Sequence, residues 1–156
     1  MLSMIQAETE PQITTVRQLF REYESWLGMD LCFQGFEDEL NNLPGKYALP
    51  EGRLLLAYWN DKVAGCIAMR KIDDGICEMK RLFVREEFQG HKIGVQLIEH
   101  LISEAQSEKY SFMRLDTLPS KMGKAAGLYR AHGFYPIAPY YENPYEGVVF
   151  MELDLN

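Results

Sequence analysis

The segment Gln89-Gly90-His91-Lys92-Ile93-Gly94 combines residue types and a position that suit anion chemistry. It follows the apolar run Leu82-Phe83-Val84 and precedes a stretch of helical periodicity, so a strand hands over here to the first turn of a helix near Lys92 or Ile93. The first turn of a helix carries unpaired N–H groups and a partial positive charge, and both attract anions. Gly90 and Gly94 remove Cβ atoms where a ligand or a neighbouring backbone must approach closely. A pyrophosphate suits such a loop. Neither common nucleotide pattern is present, however: the glycines fit neither G-x-G-x-x-G nor G-x-x-x-x-G-K-[ST].

The elements that must position this loop are legible as periodicities. "MIQAE" suits a short first strand. "ITTVRQLFREYESWLG" sets Val16, Leu19, Phe20, Tyr23 and Leu27 at helical spacing with Gly28 as a stop, and "FEDELNNLPG" suits a short second helix ended by Pro44 and Gly45. Three strand-like runs follow between Arg53 and Val84, joined by the hairpin signals Asn60-Asp61 and Asp73-Asp74-Gly75. After the loop, Leu97, Ile98, Leu101, Ile102 and Ala105 form one helical stripe. "SFMRLDT" returns to strand, "KMGKAAGLYRAHG" to helix with Gly133 at its end, and "GVVFMELDL" alternates with Val149, Met151, Leu153 and Leu155 on one face. Two helices, a three-stranded meander and then alternating helix and strand predict a mixed α/β sheet with helices on both faces, in a single domain over residues 1–156.

The third meander strand breaks its own alternation. In "CEMKRLFV", Cys77 and Met79 are apolar at odd positions and Leu82 and Val84 at even ones. A bulge near Lys80-Arg81 brings both pairs to one face; a strand buried on both sides needs no such device.

Composition narrows the partners. Over 156 residues the chain is 47% hydrophobic and 25% charged with a net charge of −7, and no Lys/Arg run is long enough to form a nucleic-acid face. The acidic balance suits solubility first and a cationic substrate second. Cys32, Cys66 and Cys77 are irregularly spaced, and His91, His100 and His132 have no carboxylate or thiol at ligand spacing, so neither a disulfide framework nor a metal is expected. The acidic N-terminus is unlike a signal peptide and no stretch is long enough to span a membrane, which predicts a cytoplasmic protein.

The spacing Gln89-x-x-Lys92-x-Gly94 resembles the Q/R-x-x-G-x-G/A loop of the GNAT N-acetyltransferases, and the preceding "LFV", the following helix and the later "AAGLYRAHGF" stand where that family has them. The resemblance runs from about residue 53 to the end, and the two N-terminal helices also fit. Two positions depart from it: Lys92 replaces the middle glycine, and Glu86 replaces a proline often found between strand and loop. A lysine presents its N–H there in right-handed geometry, but is strained if the position needs a positive φ.

The resemblance implies a fold with a mostly antiparallel sheet of about six or seven strands, about four helices and a bulged fourth strand. It implies acetyl-coenzyme A as acetyl donor, held by Gln89, Gly90, His91, Lys92, Ile93, Gly94 and Val95 and by backbone groups at Leu82, Phe83 and Val84. It implies direct attack on the thioester by a primary amine of a small molecule or peptide. Tyr129, in "LYRAHGF", reads by position alone first as a helix tyrosine packed at the core edge; the resemblance makes it the candidate for returning a proton to the departing thiolate. Glu78 is the candidate base, or else a strand glutamate paired with Lys80 or Arg81, and Asp116 is the second choice. Cys77 as an acyl-carrying nucleophile has nothing adjacent to activate it. Tyr140, Tyr141 and Tyr145, with Glu142 or Glu146, lie in the last connection, which suits an acceptor wall, a homodimer contact or a plain rigid loop. A non-catalytic acyl-coenzyme A sensor with the same fold is the competing class.

Overall fold

A computed structural model describes residues 1–28, 31 and 35–156, and Cys32 lies outside the described residues. In chain order the elements are β1 (Leu2–Gln6), α1 (Glu10–Leu27), α2 (Phe36–Asn41), β2 (Arg53–Trp59), β3 (Lys62–Asp73), β4 (Ile76–Val84), α3 (Ile93–Ser107), β5 (Phe112–Thr117), α4 (Pro119–Ala131), β6 (Tyr135–Ile137) and β7 (Val149–Asp154). The strands form one sheet of seven in the order β1-β2-β3-β4-β5-β7-β6. Only the β4–β5 pair is parallel. Seven strands and four α-helices match the expected architecture.

Local chemistry explains the boundaries. Thr9 and Gln12 cap α1 reciprocally, and Gly28 ends it in the left-handed region at φ 66°. Asn60 and Asp61 both have positive φ, at 49° and 67°, as the tight turn between β2 and β3 requires. Each face of the sheet is then covered by a different helix pair. Leu55, Ile67, Met79, Met113 and Met151 pack with α3 and α4 residues such as Leu97, Leu101 and Tyr129. Leu54, Leu56, Cys66 and Ala68 on the opposite face pack with Val16, Leu19 and Phe20 of α1 and Phe36 and Leu40 of α2. Alternation also places Phe150 off the first face, and it is nonetheless buried at 5% exposure because the rings of Tyr140 and Tyr141 close over it at 5.2 Å.

The bulge is present in β4. Cys66 pairs with Phe83 and Ala68 with Lys80, so two steps along β3 match three along β4. Arg81 takes up the extra residue at φ 61°. Cys77, Met79, Leu82 and Val84 consequently pack on one face, whereas Phe83 packs on the other. Gly65 makes the close approach possible, since a Cβ there would lie 2.3 Å from the Phe83 carbonyl oxygen.

One further feature prepares the site. β4 and β5 pair only through Ile76–Phe112, Cys77–Met113 and Glu78–Arg114. Both strands run on past that point and part, leaving a β4 edge without a strand beside it.

Candidate active site

The gap between the parted strands is a cavity of about 550 Å³. Its walls come from β4 residues Met79 to Val84, β5 residues Leu115 to Thr117, the loop and first turn of α3, and α4. The end of α1 closes it through Tyr23, Trp26 and Leu27. Because Leu82 and Val84 face the α3–α4 side while Phe83 faces α1, the cavity threads the sheet rather than lying on one surface. Ion pairs tie both N-terminal helices to β4: Arg81, at the bulge and buried, grips Glu39 of α2 with two contacts of 3.0 Å and lies over the Tyr23 ring of α1 at 5.9 Å, and the part-exposed Arg85 meets Glu22 of α1 at 2.8 and 2.9 Å.

At the loop end, Gln89, Gly90, Lys92, Ile93, Gly94 and Val95 all line the cavity. Glu86 begins a 3-10 turn over Glu86–Phe88, so no proline is needed to leave the strand. Gly90 is at φ 96° and Lys92 at φ 59°, ψ 29°. The position therefore does require the left-handed region, which costs an L-residue about 1–2 kcal/mol. Right-handed geometry, the alternative for Lys92, is not adopted. His91 does not line the cavity: its ring stacks on Trp59 with centroids 4.3 Å apart and planes at 19°, turned toward the β1–β2 edge.

At the other end, Tyr129 lines the cavity and is 6% exposed. Burial raises its phenol well above the usual range, and the nearby charges of Tyr23 and Asp116 add to the effect, so the hydroxyl stays protonated at physiological pH. Asp116 is the only carboxylate among the described lining residues; it accepts from the Tyr141 hydroxyl at 2.5 Å and the Asn143 amide at 3.4 Å. Thr117 also lines the cavity, and its hydroxyl, fully buried, has no hydrogen-bond partner among the described residues. A buried hydroxyl without a partner in the protein suits a ligand.

Glu78 is placed differently. It is 1% exposed and is not a lining residue. One carboxylate oxygen meets Arg70 at 2.9 Å and Lys80 at 3.9 Å, and the other accepts from the Tyr140 hydroxyl at 2.6 Å. Tyr140 and Tyr141 are thus spent on the two carboxylates rather than on the cavity, whose contacts from this connection are Asn143 and Val148. Lys80 does line the cavity, and burial, reinforced by the Arg81 charge, lowers its ammonium to about 8. Cys77 donates to the Phe112 carbonyl at 3.7 Å and burial pushes its thiol up to about 12, so it is not a thiolate nucleophile.

The sequence matches the acetyltransferase (GNAT) family over residues 13–134. The chain belongs to that family. It is 42% identical to an uncharacterized N-acetyltransferase of Schizosaccharomyces pombe, covering 90% of this chain and 86% of that protein. It is 33% identical to one of Dictyostelium discoideum, covering 95% and 97%. Among solved structures, a GNAT-family acetyltransferase from Staphylococcus aureus superposes with a TM-score of 0.81 at 20% identity over all of both chains. PaiA N-acetyltransferase from Thermoplasma acidophilum, solved with coenzyme A, gives 0.74 at 17% identity over 99% of each.

On the α3–α4 side of this GNAT chain, the cavity wall brings together the loop, the ammonium groups of Lys92, Lys121 and Lys124, the β4 edge and the Thr117 hydroxyl. Three contributors escaped the sequence. Thr117 is marked only by its place beside Asp116 at a strand end, and Gly65 only by being a lone glycine in a strand pattern. Trp26 stands three residues after Tyr23 on α1 but off the apolar stripe, and nothing in the periodicity distinguishes it from a surface residue. Among the described residues no group of His, Cys, Asp or Glu is placed to hold a metal ion, and no helix is long and apolar enough to cross a membrane.

Proposed function

We propose that this GNAT protein transfers an acetyl group from acetyl-coenzyme A to a primary amine by direct attack within a ternary complex. The observation that carries the reading is that one cavity joins the Gln89–Gly94 loop, the bulged β4 edge, Thr117, Tyr129 and Asp116. Acetyl-coenzyme A supplies the thioester. The loop holds its pyrophosphate, and backbone groups at Leu82, Phe83 and Val84 hold the pantetheine and polarise the carbonyl. Tyr129 gives its phenolic proton to sulfur as the carbon–sulfur bond breaks; burial keeps that proton in place beforehand and makes the phenol a weaker acid, and a thiolate released in the same buried cavity is made more basic in turn.

An alkylammonium, with an ordinary pKa near 10.4, must lose a proton before its nitrogen attacks. Of the two candidate carboxylates, Asp116 lines the cavity and receives that proton directly or through water. Glu78 acts at one remove: its carboxylate fixes Tyr140 and neutralises Arg70 and Lys80 beneath the site.

The test is amine-dependent release of free thiol from acetyl-coenzyme A, with binding followed by calorimetry. Release that requires an amine is the expected result. Tight coenzyme A binding with no amine-dependent release would overturn the transfer reading.

A further inference from the structure

Resting on the transfer reading above, we infer that the acceptor is a primary monoamine carrying an aromatic group. The inference comes from the half of the cavity that coenzyme A does not need. On the α1 side of the sheet the wall is aromatic: the Phe83 ring lies 6.3 Å from Tyr23 and 6.2 Å from Trp26, and all three line the cavity. Tyr23 is buried and held beneath Arg81, so its ring is fixed. Trp26 is different. It is a large apolar side chain left 52% exposed while forming part of a cavity wall. A surface indole packed on two further rings offers an apolar face at low entropic cost, as recognition sites for flat apolar groups do.

Charge sets the number of ammonium groups the site accepts. The described lining residues include Lys80, Arg81, Lys92, Lys121 and Lys124 but only one carboxylate, Asp116. Lys80 and Arg81 are already paired with Glu78 and Glu39, so Asp116 is the one acid left among the described lining residues for an incoming ammonium, and a second ammonium finds no counterpart there. Asp116 lines the same cavity as Tyr23 and Trp26, which gives one ammonium an acid to meet while its apolar part meets the rings. A polyamine or a lysine-rich peptide lacks a second counter-charge here, and a short alkylamine leaves the rings uncovered.

The experiment measures thiol release with 2-phenylethylamine, n-butylamine, spermidine and a lysine-rich peptide as separate acceptors. The expected kcat/KM is about tenfold or more higher for 2-phenylethylamine than for the other three, the discrimination a buried apolar group commonly gives. Trp26→Ala should raise the KM for 2-phenylethylamine about tenfold with the KM for acetyl-coenzyme A unchanged, and Trp26→Phe should restore most of the preference. Equal rates with n-butylamine, a preference for spermidine or the peptide, or an unchanged preference in Trp26→Ala would each overturn the inference while leaving acetyl transfer intact. Release with none of the four would overturn acetyl transfer to amines, and this inference with it.

Discussion

The two sides of the β4–β5 cleft are built by different means. On the α3–α4 side the parts come from one continuous run: strand, bulge, loop and helix between Ile76 and Ser107, joined by α4. Their roles rest mainly on backbone groups and helix ends, which tolerate change of side chain. On the α1 side the parts come from far apart in the chain: Tyr23 and Trp26 from α1, Asp116 from β5 and Asn143 from the last connection. Their roles rest on side chains. Under the proposed transfer, this division assigns the coenzyme to the α3–α4 side and acceptor specificity to the α1 side.

The sharpest test of the division is Tyr129→Phe, which removes one hydroxyl and leaves the ring that packs on Phe134 at 5.7 Å. Turnover should fall on the order of 100-fold, with coenzyme A affinity nearly unchanged by calorimetry. Retained turnover would remove Tyr129 from the chemistry. Glu78→Gln comes next. Removing this carboxylate leaves Arg70 and Lys80 without it, so the expected result is a loss of about 3 kcal/mol in denaturant unfolding, with the folded fraction still turning over. A turnover loss like that of Tyr129→Phe at unchanged stability would instead make Glu78 the base.

Lys80 adds a pH dependence to the same floor. Its ammonium is lowered from 10.5 to about 8 in the folded state, so between those values the unfolded chain binds more protons and stability rises with pH. Below pH 8 the cost of burying the charge is fully present. The Tm of the wild type relative to Lys80→Met should therefore rise as pH goes from 8 to 10, and a constant difference would contradict the assignment. A smaller effect is expected for Thr117→Val, which removes a hydroxyl without a partner in the protein. The KM for acetyl-coenzyme A should rise up to about tenfold, as for loss of one ligand hydrogen bond, while stability holds or improves. An unchanged KM would remove Thr117 from the coenzyme site. Smallest is Lys92→Gly, expected to raise unfolding stability by about 1 kcal/mol through relief of the left-handed backbone, with a modest loss of coenzyme affinity from the missing ammonium. Unchanged coenzyme affinity would remove that ammonium from binding.

The same division explains what was legible in the sequence. Conflicting parity at Cys77, Met79, Leu82 and Val84 narrowed β4 to a bulge or a strand buried on both sides, and the register slip at Arg81 decides for the bulge. The helix stripes, the Asn60-Asp61 turn and the strand-loop-helix order were legible for the same reason: each is a local rule. The occupation of Glu78 by Tyr140 was not, since it depends on a contact across 62 residues. His91 looked like a loop residue facing the ligand, and only the arrival of Trp59 from β2 turns its ring away. Trp26 obeys no local pattern, because its neighbours in the wall, Phe83 apart from Tyr23, come from a different element.

The chain has two tryptophans, and the fold uses them differently. Trp59 lies outside the cavity, stacked on His91 of the Gln89–Gly94 loop, and Trp26 stands half in solvent within the cavity wall. The protein therefore carries its own pair of optical reporters. On the proposed reading, emission from a variant keeping only Trp59 reports changes at the loop through His91, and emission from one keeping only Trp26 reports filling of the α1 side. Their separate time courses after mixing give the order in which the two substrates are taken up, without any label.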